Sequence, residues 1–281
     1  MKSRILDRQI RTIKLIRDDP IEFLHTLLMT EEHATAVLEN KHLFFIVGIG
    51  RSGTTFLSNL LNKIPDCAVY HEHPRDRSAL VDAYRYPDLA REYLCGFRKR
   101  LIASRVKRKE CTHYGEANSY LRYHIDALRK LWYPKLFHLV RDGRSVVRSA
   151  MNRNTFTSDE KWHSGQIYPF SEDPFADNWP DLNRFEKVCW YWMDANKFIL
   201  KYSLPFIRFE DIIRSYEELT RQILVPLDIT LPYSKWQETI EVPVNVSANV
   251  SFPEWKYWTR KQKKTFENIC GDLMSRLGYS M

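Results

Sequence analysis

No stretch of the 281-residue chain approaches the ~20 consecutive apolar residues that a membrane-spanning helix needs, so no integral membrane segment is expected. Met1 to Arg17 alternates charged with apolar residues and lacks the unbroken apolar run of a secretory leader. The expected location is therefore the cytoplasm rather than the Golgi lumen. Cysteines are few, five in all, at Cys67, Cys95, Cys111, Cys189 and Cys270. Their odd number, wide spacing and lack of any CxxC pair argue against a disulfide framework or a zinc site and leave reduced, buried thiols. The Asn-x-Ser triplets at Asn245 and Asn249 matter only in a secretory compartment. Internal repeats, low-complexity tracts and an interior linker are also missing, which favours one main domain over two.

Hydrophobic residues make up 44% of the chain and aromatics 14%, ample for a globular core. Lys and Arg number 43 against 35 Asp and Glu, a formal charge of +8. That balance suits an anionic ligand, whether nucleic acid, phosphonucleotide or anionic membrane, and does not choose among them. Residues 1–42 read as a helical segment, with Ile10, Ile13 and Ile16, then Phe23, Leu24, Leu27 and Leu28, at helical spacing and a break at Asp19-Pro20. The expectation is that this segment packs as a cap on a main domain over 43–281. Leu43 to Val47 is a short apolar run closing on Gly48, the pattern of a strand buried on both faces. Further strands are expected at 67–70, 114–117, 135–140 and 205–209. Helices are expected at 55–63, 78–105, 120–132, 144–151, 185–202, 216–225 and 261–277. Residues 153–182 form a long loop without period, and 229–254 are irregular. Strand and helix in alternation imply an α/β fold: a mainly parallel sheet flanked by helices on both faces.

Between the first strand and its helix lies Gly48-Ile-Gly50-Arg51-Ser52-Gly53-Thr54-Thr55. The backbone N–H groups of such a loop and the positive end of the following helix make an anion cradle. The spacing Gly48…Gly53 fits GxxxxGK[ST], but Thr54 stands where a nucleoside triphosphatase has Lys, and Arg51 moves the cation three places earlier. No apolar strand ends in an Asp clearly placed to hold magnesium. The loop thus suits an anion without a metal-bridged phosphate, and no metal is expected. A plain connecting turn is the bland alternative; the added Arg, Ser and two Thr favour anion binding.

The strand at 135–140 runs into Arg141-Asp-Gly-Arg-Ser-Val-Val-Arg-Ser149-Ala-Met-Asn-Arg153. Arg141 sits at the carboxyl end of a strand, where open α/β sheets bind ligands. Ser145, Ser149 and Arg153, four apart, share one helix face. Taken alone, a phosphate clasp and a solvated basic helix stand level. Together with the first loop, the balance tips. Gly-x-Gly-Arg-Ser-Gly-Thr-Thr-x-Leu57 resembles the 5′-phosphosulfate loop of sulfotransferases that use 3′-phosphoadenosine-5′-phosphosulfate (PAPS), and Arg141 with Ser149 resembles their 3′-phosphate motif. Arg208-Phe-Glu-Asp211 and Ser251…Trp255-Lys256…Gly271-Asp-Leu-Met…Leu277-Gly-Tyr279 are looser likenesses to bacterial members. An extra Arg in the 3′ clasp, here Arg153, is similar to the tyrosylprotein sulfotransferases. The resemblance implies a P-loop-like fold that transfers a sulfuryl group from PAPS to a hydroxyl or amine without metal. It assigns Gly50, Arg51, Ser52, Gly53, Thr54 and Thr55 to the 5′-phosphosulfate, and Arg141, Ser149 and Arg153 to the 3′-phosphate. Phe209 would pack near the adenine, with Ser251 and Lys256 at the far rim.

Sulfuryl transfer needs a base for the acceptor proton. Tyr70-His71-Glu72-His73-Pro74 follows the second strand, and the resemblance aligns Glu72, seventeen residues after Thr55, with the catalytic glutamate of the tyrosylprotein enzymes. His71 is the rival base, because histidine titrates nearer neutrality; the spacing of His71 and His73 is weak evidence for a metal. Arg51 is the cation expected at the leaving group. The Lys that tyrosylprotein enzymes carry near Gly115-Glu116 is missing, which disfavours peptide tyrosine and points to a carbohydrate or other small-molecule acceptor. The aromatic loop 153–182 (Trp162, His163, Tyr168, Phe170, Trp179) has the mix of an acceptor lid. Trp190, Tyr191 and Trp192 read as core, and the seven Lys and Arg within 98–109 as a solvated helix face. A P-loop kinase and a nucleic-acid-binding module are the competing readings; no nucleic acid is expected, because the phosphate-binding residues gather at two strand ends.

Overall fold

The computed structural model describes residues 19–159, 164–242 and 251–280. The expected helix over 1–18, Trp162, His163, Asn245 and Asn249 lie outside them. Five parallel strands form the sheet: β1 (His42–Gly48), β2 (Cys67–Tyr70), β3 (His113–Ala117), β4 (Lys135–Val140) and β5 (Phe206–Arg208), in the order β2-β3-β1-β4-β5. β1 is buried on both faces, as its unbroken apolar run requires. Phe45 and Val47 join the core on one side and Phe44 and Ile46 the core on the other, the period of two expected of a strand. From β1 the chain proceeds to β2 on one side; from β4 it proceeds to β5 on the other. The carboxyl ends of β1 and β4 therefore diverge and leave a crevice between them.

The helices obey local signals. α1 (Pro20–Leu28) starts on an Asp19 cap with proline in its first turn, and α2 (Glu31–Leu38) on a Thr30 cap. α3 (Thr54–Leu61) follows β1 and covers the Phe44 side of the sheet. The single helix expected over 78–105 is instead α4 (Asp76–Arg85), α5 (Asp88–Tyr93), a π turn over Leu94–Arg98 and α6 (Lys99–Lys109). Pro87 forces Tyr86 out of helical geometry, and Gly96 adopts a non-helical backbone. A 3-10 turn (Ser119–His124) precedes α7 (Ile125–Trp132). α8 (Gly143–Met151) follows β4; α9 (Arg184–Leu200) and the final helix, Arg260–Arg276, both begin with a capping box. α10 (Phe209–Arg214) grows directly from β5. α11 (Tyr233–Ile240) stands inside the stretch expected to be irregular, pinned by buried Trp236, whose indole donates to the Ile212 carbonyl at 2.9 Å. The final helix is α12.

Two expectations reverse. Leu24, Leu27 and Leu28 of α1 face outward with Ile21, while Glu22 turns inward to Arg105 (Nε to Oε2, 2.7 Å) and Arg108 (3.2 Å). The basic run of α6 is thus not simply a solvated face: Arg98 is fully buried and Arg105 nearly so. All five cysteines are unpaired, and burial pushes the Cys67 thiol up to about 12. Among the described residues no helix is long and apolar enough to cross a membrane.

Candidate active site

A cavity of about 470 Å³ opens at the tips of β1, β2, β3 and β4. The β1–α3 loop supplies Gly50, Arg51, Thr54 and Thr55; the segment after β2 supplies His71, Glu72 and His73; the turn after β3 supplies Ser119 and Tyr120; the turn after α8 supplies Arg153, and α9 supplies Tyr191 and Trp192.

The loop keeps its shape through Gly53, whose φ of +105° is strained for any other residue and whose added Cβ would lie 2.3 Å from the Phe209 ring. Arg51 is also left-handed, at φ 76°. α3 starts without a side-chain cap, so its first N–H groups remain available to an anion. The Ser52 hydroxyl is buried and has no partner among the described residues.

Across the crevice Arg51 Nε donates to Ser149 Oγ at 2.8 Å, and Arg141 Nη1 donates to the Arg51 carbonyl at 2.9 Å. Burial, then the neighbouring charges of Arg153 and Arg141, hold Arg51 down at about 10, and burial likewise lowers Arg141. The positive charges of Arg153 and Arg141 outweigh the opposing carboxylate of Glu72 at Arg51, a surplus that suits a bound anion. The two sequence motifs therefore meet, and the open helix end, the orphaned Ser52 hydroxyl and this cationic cluster fit a nucleotide with a phosphate group at each end. Phe209 lies under the loop, with the Arg141 guanidinium 4.8 Å above its ring and Phe56 edge-on at 5.6 Å. Ser251 and Lys256 are not brought to the cavity wall. The Ser251 N–H donates to Asn152 Oδ1 at 2.8 Å, and exposed Lys256 pairs with Glu254 at 3.6 Å.

On the opposite wall, Glu72 Oε1 accepts a hydrogen bond from Ser119 Oγ. His71 Nε2 lies 3.0 Å from the Thr54 hydroxyl, 3.2 Å from that of Thr55 and 4.0 Å from Glu72. His73, at the cavity edge, is nearly buried: its backbone N–H donates to Asp76 Oδ2 at 3.0 Å, its ring Nδ1 accepts from the Arg75 N–H at 3.2 Å, and burial drives it down to about 3. The two histidines diverge and make no metal pair; among the described residues no cluster of three His, Cys, Asp or Glu side chains is placed to hold an ion.

Sequence reasoning missed several walls. Tyr191, read as core, lines the cavity, and its Oη accepts from buried Arg122 at 2.6 Å, whereas Trp192, which touches the cavity edge, is core as read. Arg77 and Tyr120 line it as well, and no local pattern marked them. Arg208-Phe-Glu-Asp211 works as a brace: Glu210 accepts from the Asp142 N–H at 3.0 Å and from Tyr279 Oη at 2.9 Å, while Arg208 donates to the Leu277 and Gly278 carbonyls. This ties the β4–α8 turn, and so Arg141, to the end of the chain.

The fold is shared with solved sulfotransferases. The sulfotransferase domain from the curacin biosynthetic pathway superposes with a TM-score of 0.53 at 14% identity, covering 86% of this chain and 99% of its own. Sulfotransferase STF9 from Mycobacterium avium gives 0.51 at 14% identity, covering 98% of this chain and 83% of its own. No curated protein matches the sequence. The sequence pattern of the sulfotransferase family matches residues 44–233, a span that takes in the Gly48–Thr55 and Arg141–Arg153 segments and all five strands but for the first two residues of β1; the chain belongs to the sulfotransferase family.

Proposed function

We propose that this protein transfers a sulfuryl group from PAPS to a hydroxyl (or amine) of a carbohydrate or other small molecule, with Glu72 as general base and without metal. The observation that carries the reading is the joining of Arg51 to Ser149 and to Arg141 across the β1 and β4 tips, with Arg51 and Arg153 facing Glu72 over one cavity. Gly50 to Thr55 and the α3 N-terminus would hold the 5′-phosphosulfate; Arg141, Ser149 and Arg153 would hold the 3′-phosphate. Glu72 takes the acceptor proton as the acceptor oxygen attacks sulfur, and the bond from sulfur to the phosphate oxygen breaks. Arg51 meets the charge that develops on the departing phosphate, a contact strongest in the transition state. Tyr120 and Tyr191, both partly exposed at the cavity, supply flat apolar surface of the kind on which sugar and ring faces stack.

Thermal shift and label transfer test the reading. The product nucleotide 3′-phosphoadenosine-5′-phosphate should stabilise the protein more than ATP–magnesium or an oligonucleotide does, and mass-tagged PAPS should label a member of a mixed acceptor pool. Greater stabilisation by ATP–magnesium would make the protein a kinase instead.

A further inference from the structure

Behind the Glu72 wall lies a buried polar network that the proposed chemistry does not use directly. Arg98, Asp76, Glu116 and Asn118 are all without exposure to solvent. Arg98 pairs with Asp76 (Nε to Oδ1, 3.0 Å) and with Glu116; Tyr93 donates to Asp76 at 2.6 Å and Tyr114 to Glu116 at 2.6 Å. Asn118 Nδ2 donates to both carboxylates, at 2.7 and 3.0 Å. Buried ion networks of this kind bring little net stability over apolar packing of the same volume, so their geometry is the informative part.

That geometry converges on one atom. Asp76 Oδ2 accepts from the His73 N–H, which fixes the segment bearing Glu72, and from Asn118 Nδ2. Asn118 Oδ1 in turn accepts from the Tyr120 N–H at 3.0 Å, setting the turn whose first residue, Ser119, holds Glu72 Oε1. We propose that the Arg98–Asp76–Glu116–Asn118 network positions the base: one carboxylate oxygen joins the two loops that carry Glu72 and Ser119, so that the other oxygen of Glu72 is held ready for the acceptor. Asn118, Asp76 and Ser119 are then positioning residues that act through Glu72. The inference rests on the reading of Glu72 as the base.

A double-mutant cycle on the full chain tests it. Asn118→Ala and Ser119→Ala should each lower kcat by roughly 10- to 100-fold, with the KM for PAPS and the thermal shift from the product nucleotide unchanged; Ser119→Thr should restore most of the loss. In a Glu72→Gln background neither alanine variant should lower kcat further. An equal loss in that background, or a loss of nucleotide binding alongside kcat, overturns the proposal and reduces the network to a frame for the fold. Should Asn118→Ala not fold, Ser119→Ala reads the same coupling. Full turnover by Glu72→Gln alone would instead sink the base assignment, a result separable from the first.

Discussion

Arg51 performs two tasks at one position. Its Nε donates to Ser149, closing the crevice, and its carbonyl receives Arg141. Held down at about 10 it remains charged at neutral pH, and an anion between it, Arg141 and Arg153 relieves their repulsion. Arg51→Ala and Arg141→Ala should therefore each weaken product-nucleotide binding by about 1.5–3 kcal/mol, the worth of a charge-assisted contact, as read by isothermal titration calorimetry. Only Arg51→Ala should also depress kcat, because the Arg141 contact is to the loop backbone. Glu72→Gln should keep that affinity and lose about 10²–10⁴ in turnover. With His73 driven down to about 3 by burial, an unaffected Glu72→Gln enzyme would hand the role to His71.

The β1–α3 loop is the element on which binding depends, and Gly53 is its tightest point. Alanine there adds backbone strain of about 1–3 kcal/mol and drives a methyl group into the Phe209 ring. Gly53→Ala should lose nucleotide affinity by more than 10-fold and lower the urea midpoint; replacing Phe209 as well should recover packing but not affinity. How much of this element the sequence reveals follows from its range of contact. β1, its glycine loop and the start of α3 are one continuous stretch, so apolar run, turn chemistry and helix signal are all legible. The pairing of Arg51 with Ser149 spans 98 residues; the resemblance of the two motifs implies that both serve one nucleotide, but not that they touch. Arg98 and Arg105 show the limit: a basic residue at helical spacing looks solvated until its acids are known, and Glu22 lies 83 positions from Arg105. Tyr191 shows the same limit. A run of aromatics tells that a helix packs, not that one side of it faces a void.

The molecule as a whole should also lose stability in acid, through three buried histidines, His73 beside Glu72 and His124 and His138 in the core. Burial, the first cause in each case, holds His73 at about 3 and His124 and His138 at about 4, against an ordinary value of 6.5. His138 Nε2 donates to Asn196 Oδ1 at 2.9 Å, which orients the ring; burial, against that bond, keeps it neutral. In the unfolded chain each ring takes up a proton below pH 6.5; in the folded chain it does not. Their contribution is thus fully present above pH 6.5 and is lost as pH falls towards 4, at a limiting slope of about 1.4 kcal/mol per pH unit for each ring. Asp76, held at about 2 chiefly by Arg98 against the opposing cost of burial, adds a loss of the same sign from about pH 4 downward. Stability from urea titrations at pH 7.0, 6.0, 5.0 and 4.5 should fall ever more steeply, well before the carboxylates titrate. His138→Gln, which keeps a donor for Asn196, should flatten that slope by up to a third even if it lowers stability at pH 7. A curve level from pH 7 to 4.5, or a slope untouched by His138→Gln, would mean that these rings are already protonated inside the fold.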